Sequence, residues 1–170
     1  MAGEKPSAKV LNCPGCNASI EIRGLGQTCT LVCSHCGTLF DINDSKFKLI
    51  KASDELLFRP LIPLGTRGKF GDDIFEVIGA MLRTDGTEQY EWTEYLLFNP
   101  YKGFRWLVEN QGHWNFVIPI KGNPENETGS SYSPLRAKAS VKYEGTSFRL
   151  FLSGSAKVKY VLGEFYWQVR

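Results

Sequence analysis

Two pairs of cysteines dominate the first quarter of the chain, Cys13-Pro14-Gly15-Cys16 and Cys33-Ser34-His35-Cys36, separated by sixteen residues. The spacing C-x2-C-x16-C-x2-C lies in the window for a four-thiolate zinc site. Zinc takes four ligands in a tetrahedron with Zn–S near 2.3 Å; one tight turn supplies two thiolates and a second closes the shell. Cys13, Cys16, Cys33 and Cys36 are therefore the predicted ligands of a structural Zn2+. Iron in a rubredoxin-like site and a pair of disulfides are the competing readings.

The residues around the pairs suit such turns. After each pair the backbone has to turn back through left-handed conformation, which glycine adopts freely and asparagine tolerates. Gly37 follows the second pair, Asn17 follows the first, and Pro14 stiffens the first turn. Between the pairs the pattern is strand (18–23), glycine turn (24–26), strand (28–32): a ribbon with a knuckle at each end. Alternation puts Cys29 on the face of Leu31 and Cys33, where it reads as a small buried hydrophobe. His35, inside the second knuckle, reads as an exposed residue, since four cysteines already complete the shell.

The N-terminus has no apolar signal core, so C-x2-C pairs favour metal over disulfides and a cytoplasmic location is expected. No apolar run is long enough to span a membrane. Net charge is +2, but unevenly spread: residues 1–52 carry six basic and four acidic groups, 53–127 seven and twelve, and 128–170 seven and two. The basic end either faces the acidic middle or offers a surface to an acidic partner.

The remainder reads as an all-β, mainly antiparallel protein with little helix. The expected organisation is a flexible N-terminus (1–10), zinc ribbon (11–41), connector (42–65), antiparallel β domain (66–120), polar loop (121–135) and a second set of strands (136–170). A strand at 46–50 and a short helical turn at 53–58, stopped by Pro60 and Pro63, are expected in the connector. From Thr66 onward period-two alternation with regular turns predicts a curled meander sheet or an SH3-like barrel. Phe75, Val77 and Met81 are placed on one face; so are Trp92, Leu96 and Phe98, and likewise Phe104, Trp106 and Val108. Later strands are expected at 139–143, 148–152, 156–162 and 164–169. Trp92, Trp106, Trp114 and Trp167 are core candidates that could double as a partner surface.

A faint repeat aligns Lys69-Phe70, Phe75 and Val77 with Lys142-Tyr143, Phe148 and Leu150. If it is real, the chain stops inside a second copy. That suggests a fragment of a longer protein, or a C-terminal strand paired by another chain.

These stretches resemble one family. A four-cysteine ribbon, then the pattern at 65–79 (G-x-x-G-x-[FY]-x-x-x-x-F-x-V-I-G), W-x-E-Y-L-L at 92–97, G-F-R-W-L at 103–107, G-H-W at 112–114 and G-E-F-Y-W at 163–167 are similar to the bacterial domain-of-unknown-function family 4178. The resemblance covers nearly the whole chain and brings no established activity. It implies an accessory protein of bacterial membrane-stress or polyamine-linked gene neighbourhoods, in a family whose members continue further. Asn17 departs from the usual glycine after the first knuckle.

Function follows by weighing alternatives. A closed four-thiolate shell leaves no position for water, and no G-x-S-x-G, phosphate-cradling loop or H-E-x-x-H occurs. A non-catalytic zinc-binding adaptor for another protein is the leading expectation. A nucleic-acid-binding zinc ribbon is the alternative, with Arg105 beside Trp106, and Lys157 and Lys159 beside Tyr160, as stacking candidates; near-zero net charge makes nucleic acid the less expected partner. An enzyme would need His113 with Glu91, Glu94 or Glu109. A redox role would need iron.

Overall fold

Alternation of apolar and polar residues, broken every eight to twelve positions by glycine or asparagine, gives strands joined by tight turns. The computed structural model describes residues 9–24, 26–42, 49–51, 58–122, 124–126, 140–150 and 154–167, and among them holds fourteen strands and no helix. They are β1 (Lys9–Asn12), β2 (Ser19–Ile22), β3 (Thr30–Val32), β4 (Leu39–Asp41), β5 (Leu49–Lys51), β6 (Arg67–Phe70), β7 (Asp73–Asp85), β8 (Glu91–Asn99), β9 (Gly103–Asn110), β10 (His113–Val117), β11 (Glu125–Asn126), β12 (Ser140–Tyr143), β13 (Thr146–Arg149) and β14 (Ala156–Phe165).

Every pairing is antiparallel. A nine-stranded sheet runs β10-β9-β8-β7-β14-β3-β4-β5, with β6 pairing β7; β1-β2 and β11-β12-β13 form two small sheets. The large sheet is open, with β10 and β5 at its two ends, so of the two expected architectures the curled sheet forms and the barrel does not.

Both faces of the large sheet are apolar. One buries Phe75, Val77, Ala80, Tyr95, Leu97 and Leu107, and Phe58, Ile62, Leu64 and Phe70 pack against them. The other buries Val32, Leu39, Ile78, Met81, Leu96, Phe98 and Phe165 under Phe104, Trp106, Val161 and Trp167. Burying a side chain of this size stabilises by about 1.5–3 kcal/mol, so these two layers supply most of the driving force. Tyr95 is wholly buried, burial pushes its phenol up, and its hydroxyl accepts the Ile62 N–H at 3.4 Å.

Met81 is not on the face of Phe75 and Val77. A register shift between Val77 and Gly79 inserts Ile78 as an extra residue. Beyond that bulge the alternation inverts, so Ala80 joins Phe75 and Val77 while Met81 joins Ile78.

The last two expected strands are one. β14 passes straight through Gly163, which has φ +85°. Gly163 lies opposite Gly79 on one side and Val32 on the other, and a Cβ there would overlap the Ile78 carbonyl oxygen. Only glycine lets three backbones meet this closely. β14 is paired by β7 along Ala156–Gly163 and by β3 along Gly163–Phe165, both meeting it at Gly163, and the Phe165 side chain is fully buried.

The repeat survives locally. β6–β7 and β12–β13 are both hairpins with two-residue turns, closed by Phe70 opposite Asp73 and Tyr143 opposite Thr146. They sit in different sheets. The strand expected at 46–50 is represented by β5; residues 43–48, the body of the helical turn (52–57) and the polar loop beyond 126 lie outside the described residues.

Candidate metal centre

Each knuckle is the tip of its own hairpin. β1 pairs with β2 across the first and β3 with β4 across the second, so the two strands between the cysteine pairs do not pair with each other. The knuckles share one hydrogen-bond pattern. Asn17 N–H donates to Cys13 O and Gly37 N–H to Cys33 O, both at 2.9 Å; Cys13 N–H donates to Ala18 O and Cys33 N–H to Thr38 O, also at 2.9 Å. The returning residues are left-handed as expected, Asn17 at φ 60° and Gly37 at φ 70°.

This backbone aims the four sulfurs at one point. Their Sγ atoms all lie within 4.8 Å of one another, with Cys13–Cys36 at 3.7 Å and Cys16–Cys33 at 3.8 Å. A tetrahedron with 2.3 Å arms has edges of about 3.8 Å, so the sulfurs are spaced to hold a metal ion. All five cysteines are free thiols. Backbone N–H groups reach two sulfurs in matching positions, Gly15 to Cys13 at 3.3 Å and His35 to Cys33 at 3.4 Å. Such bonds favour the thiolate.

The metal-free thiols are unequal. Burial pushes Cys33 up to about 12, whereas Cys36 falls to about 7 because hydrogen bonds from the Thr38 side chain and backbone, and from neighbouring thiols, outweigh the effect of its burial. Thr38 Oγ1 lies 3.0 Å from Cys36 Sγ. The same hydroxyl covers Gly15, where any Cβ would overlap it, so the second knuckle packs directly on the first. A small core of Leu11, Ile22, Leu31 and Phe40 backs the sulfurs.

His35 is exposed, as expected of a knuckle residue. Cys29 stands outside the cluster, half-buried, with Sγ 3.4 Å from the Tyr166 carbonyl.

Sequence reasoning missed what fastens this centre to the sheet. Glu164 on β14 is 4% exposed, and its carboxylate accepts three hydrogen bonds from the link between the knuckles: Arg23 N–H at 2.8 Å, Gly24 N–H at 2.9 Å and the Thr28 hydroxyl at 2.7 Å. Arg23 also forms ion pairs with Glu21 and with Glu76 of β7, and Glu76 binds Arg67 at 2.8 Å. Cys29 N–H donates to Phe165 O, and the Thr30 hydroxyl to Trp167 O, both at 2.8 Å. The available signal was a lone carboxylate between a glycine and an aromatic run at 163–167.

The tryptophans divide between the faces. Trp106 and Trp167 touch, with centroids 5.4 Å apart, and Trp92 shares their face, donating from Nε1 to Glu94 at 2.7 Å. Trp114 is on the opposite face, stacked on Tyr95.

The charged candidates also separate. Arg105 donates to the carbonyls of Lys102 and Phe104 and lies 5.9 Å over the Phe75 ring, on the face away from Trp106; Lys159 pairs with Glu91. Glu94 binds Arg83 on one face, whereas Glu91 and Glu109 point to the other by alternation, and Glu109 accepts Gly112 N–H. No helix among the described residues is long and apolar enough to cross a membrane.

Comparison with known proteins adds one result. Neither a curated protein nor a solved structure matches the chain. A family model matches residues 63–170, which begins after the cysteine centre and takes in β6 to β14. On that match, the chain belongs to the family described as Domain of unknown function (DUF4178).

Proposed function

We propose that the protein is a non-catalytic adaptor that binds another protein through a scaffold held by structural zinc. The observation that carries this reading is the sulfur cluster: four thiols within 4.8 Å of one another, backed by a small core and tied to the large sheet by Glu164. Four thiolates fill a tetrahedral shell, so an ion there supplies rigidity and folding energy rather than a site for substrate. Zinc fits a closed all-thiolate site in which no redox change is needed. The separation of Arg105 from Trp106, and the pairing of Lys159 with Glu91, favour this reading over nucleic-acid stacking at those two cations. The resemblance to a family from bacterial membrane-stress or polyamine-linked gene neighbourhoods points to where the partner would be sought.

The test has two parts. Metal analysis of the purified protein should give one zinc per chain in a colourless preparation; a coloured iron protein would sink the zinc assignment. A tagged pull-down from native lysate, with and without nuclease, should recover a nuclease-resistant protein. Material that vanishes with nuclease would make the chain a nucleic-acid binder.

A further inference from the structure

We infer that the β10 edge of the large sheet pairs with the same edge of a second copy of the chain. β10 is an outer strand, paired on one side by β9 and on the other by no described strand, and all five of its residues are exposed. Natural edges are usually blunted by lysine, proline, a bulge or an inward charge. β10 reads His113-Trp114-Asn115-Phe116-Val117, with none of these, and its pairing with β9 is regular throughout.

The geometry selects the partner. β9 and β10 are joined by a two-residue turn, Gln111 at φ 51° and Gly112 at φ 82°, closed by Asn110 opposite His113. In such a hairpin the closing pair exchanges both hydrogen bonds, so His113, Asn115 and Val117 turn their N–H and C=O groups toward β9. Those of Trp114 and Phe116 therefore face outward. A twofold axis through Asn115 brings Trp114 opposite Phe116 of the partner subunit, and Phe116 opposite Trp114 of the partner subunit. Both are hydrogen-bonded pairs, and together they satisfy every outward group of the two residues.

The side chains agree with that register. Trp114 (44% exposed) is held against Tyr95, and Phe116 (38% exposed) stacks on Phe70 at 4.6 Å, so both rings stand ready on one face for cross-strand aromatic pairs. No charge meets a like charge, because β10 carries no Asp, Glu, Lys or Arg. Exposed Ile118 falls opposite Gly112 of the partner subunit, and the space beside Gly112 is open. Pro119 then ends the pairing. A strand that matches itself in register, hydrogen bonds and charge fits an isologous contact between two copies. This inference stands apart from the adaptor reading, since purified protein alone tests it.

Sedimentation velocity over a concentration series should show a monomer–dimer equilibrium. Trp114→Lys and Phe116→Lys place like charges near one another across the twofold and should each raise the dimer dissociation constant about tenfold or more, with circular dichroism unchanged. Asn115→Cys, in a Cys29→Ser background, should cross-link two chains on mild oxidation, because a non-hydrogen-bonded antiparallel pair brings Cα atoms to about 4.5 Å. Lys102→Cys, on an exposed turn, should not. A chain that stays monomeric and gives no Asn115→Cys cross-link overturns the inference and leaves the edge to a foreign strand. A dimer indifferent to Phe116→Lys overturns it too.

Discussion

The carboxylate of Glu164 accepts the backbone N–H of Gly24 at 2.9 Å, across 140 residues of chain. With Arg23 N–H and the Thr28 hydroxyl on the same group, a buried acid serves as the socket for the link between the two knuckles.

Glu164→Ala should be among the most damaging single changes. It leaves three donors without an acceptor in a site only 4% exposed. Hydrogen bonds to a buried charge are worth about 1.5–3 kcal/mol each, so the loss should be on the order of 3 kcal/mol or more in urea unfolding. Glu164→Gln, which keeps one carbonyl acceptor, should lose less. Equal stability of Glu164→Ala and wild type would remove the socket.

Metal removal should be felt in the large sheet. β3 pairs with Gly163, Glu164 and Phe165, so a knuckle that loses its ion loosens that end of β14. With chelator, or in Cys13→Ser, hydrogen exchange should accelerate at residues 11–41 and 163–165 while β8 and β9 stay protected. Trp167 touches Trp106, so its fluorescence should shift in the same experiment. Exchange confined to 11–41 would mean that the β3–β14 pairing holds without the ion.

Two glycines with similar backbone angles should behave differently. Gly26, at φ +79°, has open space around it, so Gly26→Ala should cost only backbone strain, about 1 kcal/mol. Gly163, at φ +85°, faces the Ile78 carbonyl, so Gly163→Ala adds a backbone overlap and should cost about 3 kcal/mol or more. Similar melting temperatures for the two variants would contradict the close approach of β7 and β14.

Metal affinity should fall as pH falls. Cys33 is raised to about 12 and so holds its proton at neutral pH in the metal-free protein, whereas Cys36, at about 7, is partly ionised there. Coordination needs thiolates, so each thiol still protonated releases a proton on binding, and affinity drops about tenfold per pH unit for each. Titration with zinc below neutrality should be steep in pH, with protons released into a weak buffer. A flat profile would show that the ligands are not thiolates.

The clustering of the four cysteines was legible because it is set by local turns. Two C-x2-C turns and the left-handed residues Asn17 and Gly37 lie close in sequence to the sulfurs they orient. The antiparallel strands were legible for the same reason, since alternation is a property of neighbours. What escaped was non-local or depended on one inserted residue. Ile78 looks like any alternating apolar residue, yet its bulge moved Met81 to the other face. Gly163 read as a break, because the close approach of Gly79 and Val32 that makes it a crossing point is invisible along the chain. The role of Glu164 was hidden as well, because its three donors lie more than 130 positions away.

The β3–β14 pairing also sets an order of events during synthesis. β3 leaves the ribosome well before one of its two neighbours in the sheet, residues 163–165 of β14. The β1–β2 and β3–β4 pairings are local, whereas β3 gains its other neighbour in the large sheet only once residues 163–165 are made. Contacts between such distant positions slow folding, because a long loop must close before they are rewarded. Until then Leu31 and Val32, buried in the finished sheet, lack their β14 neighbour, which leaves β3 open to aggregation.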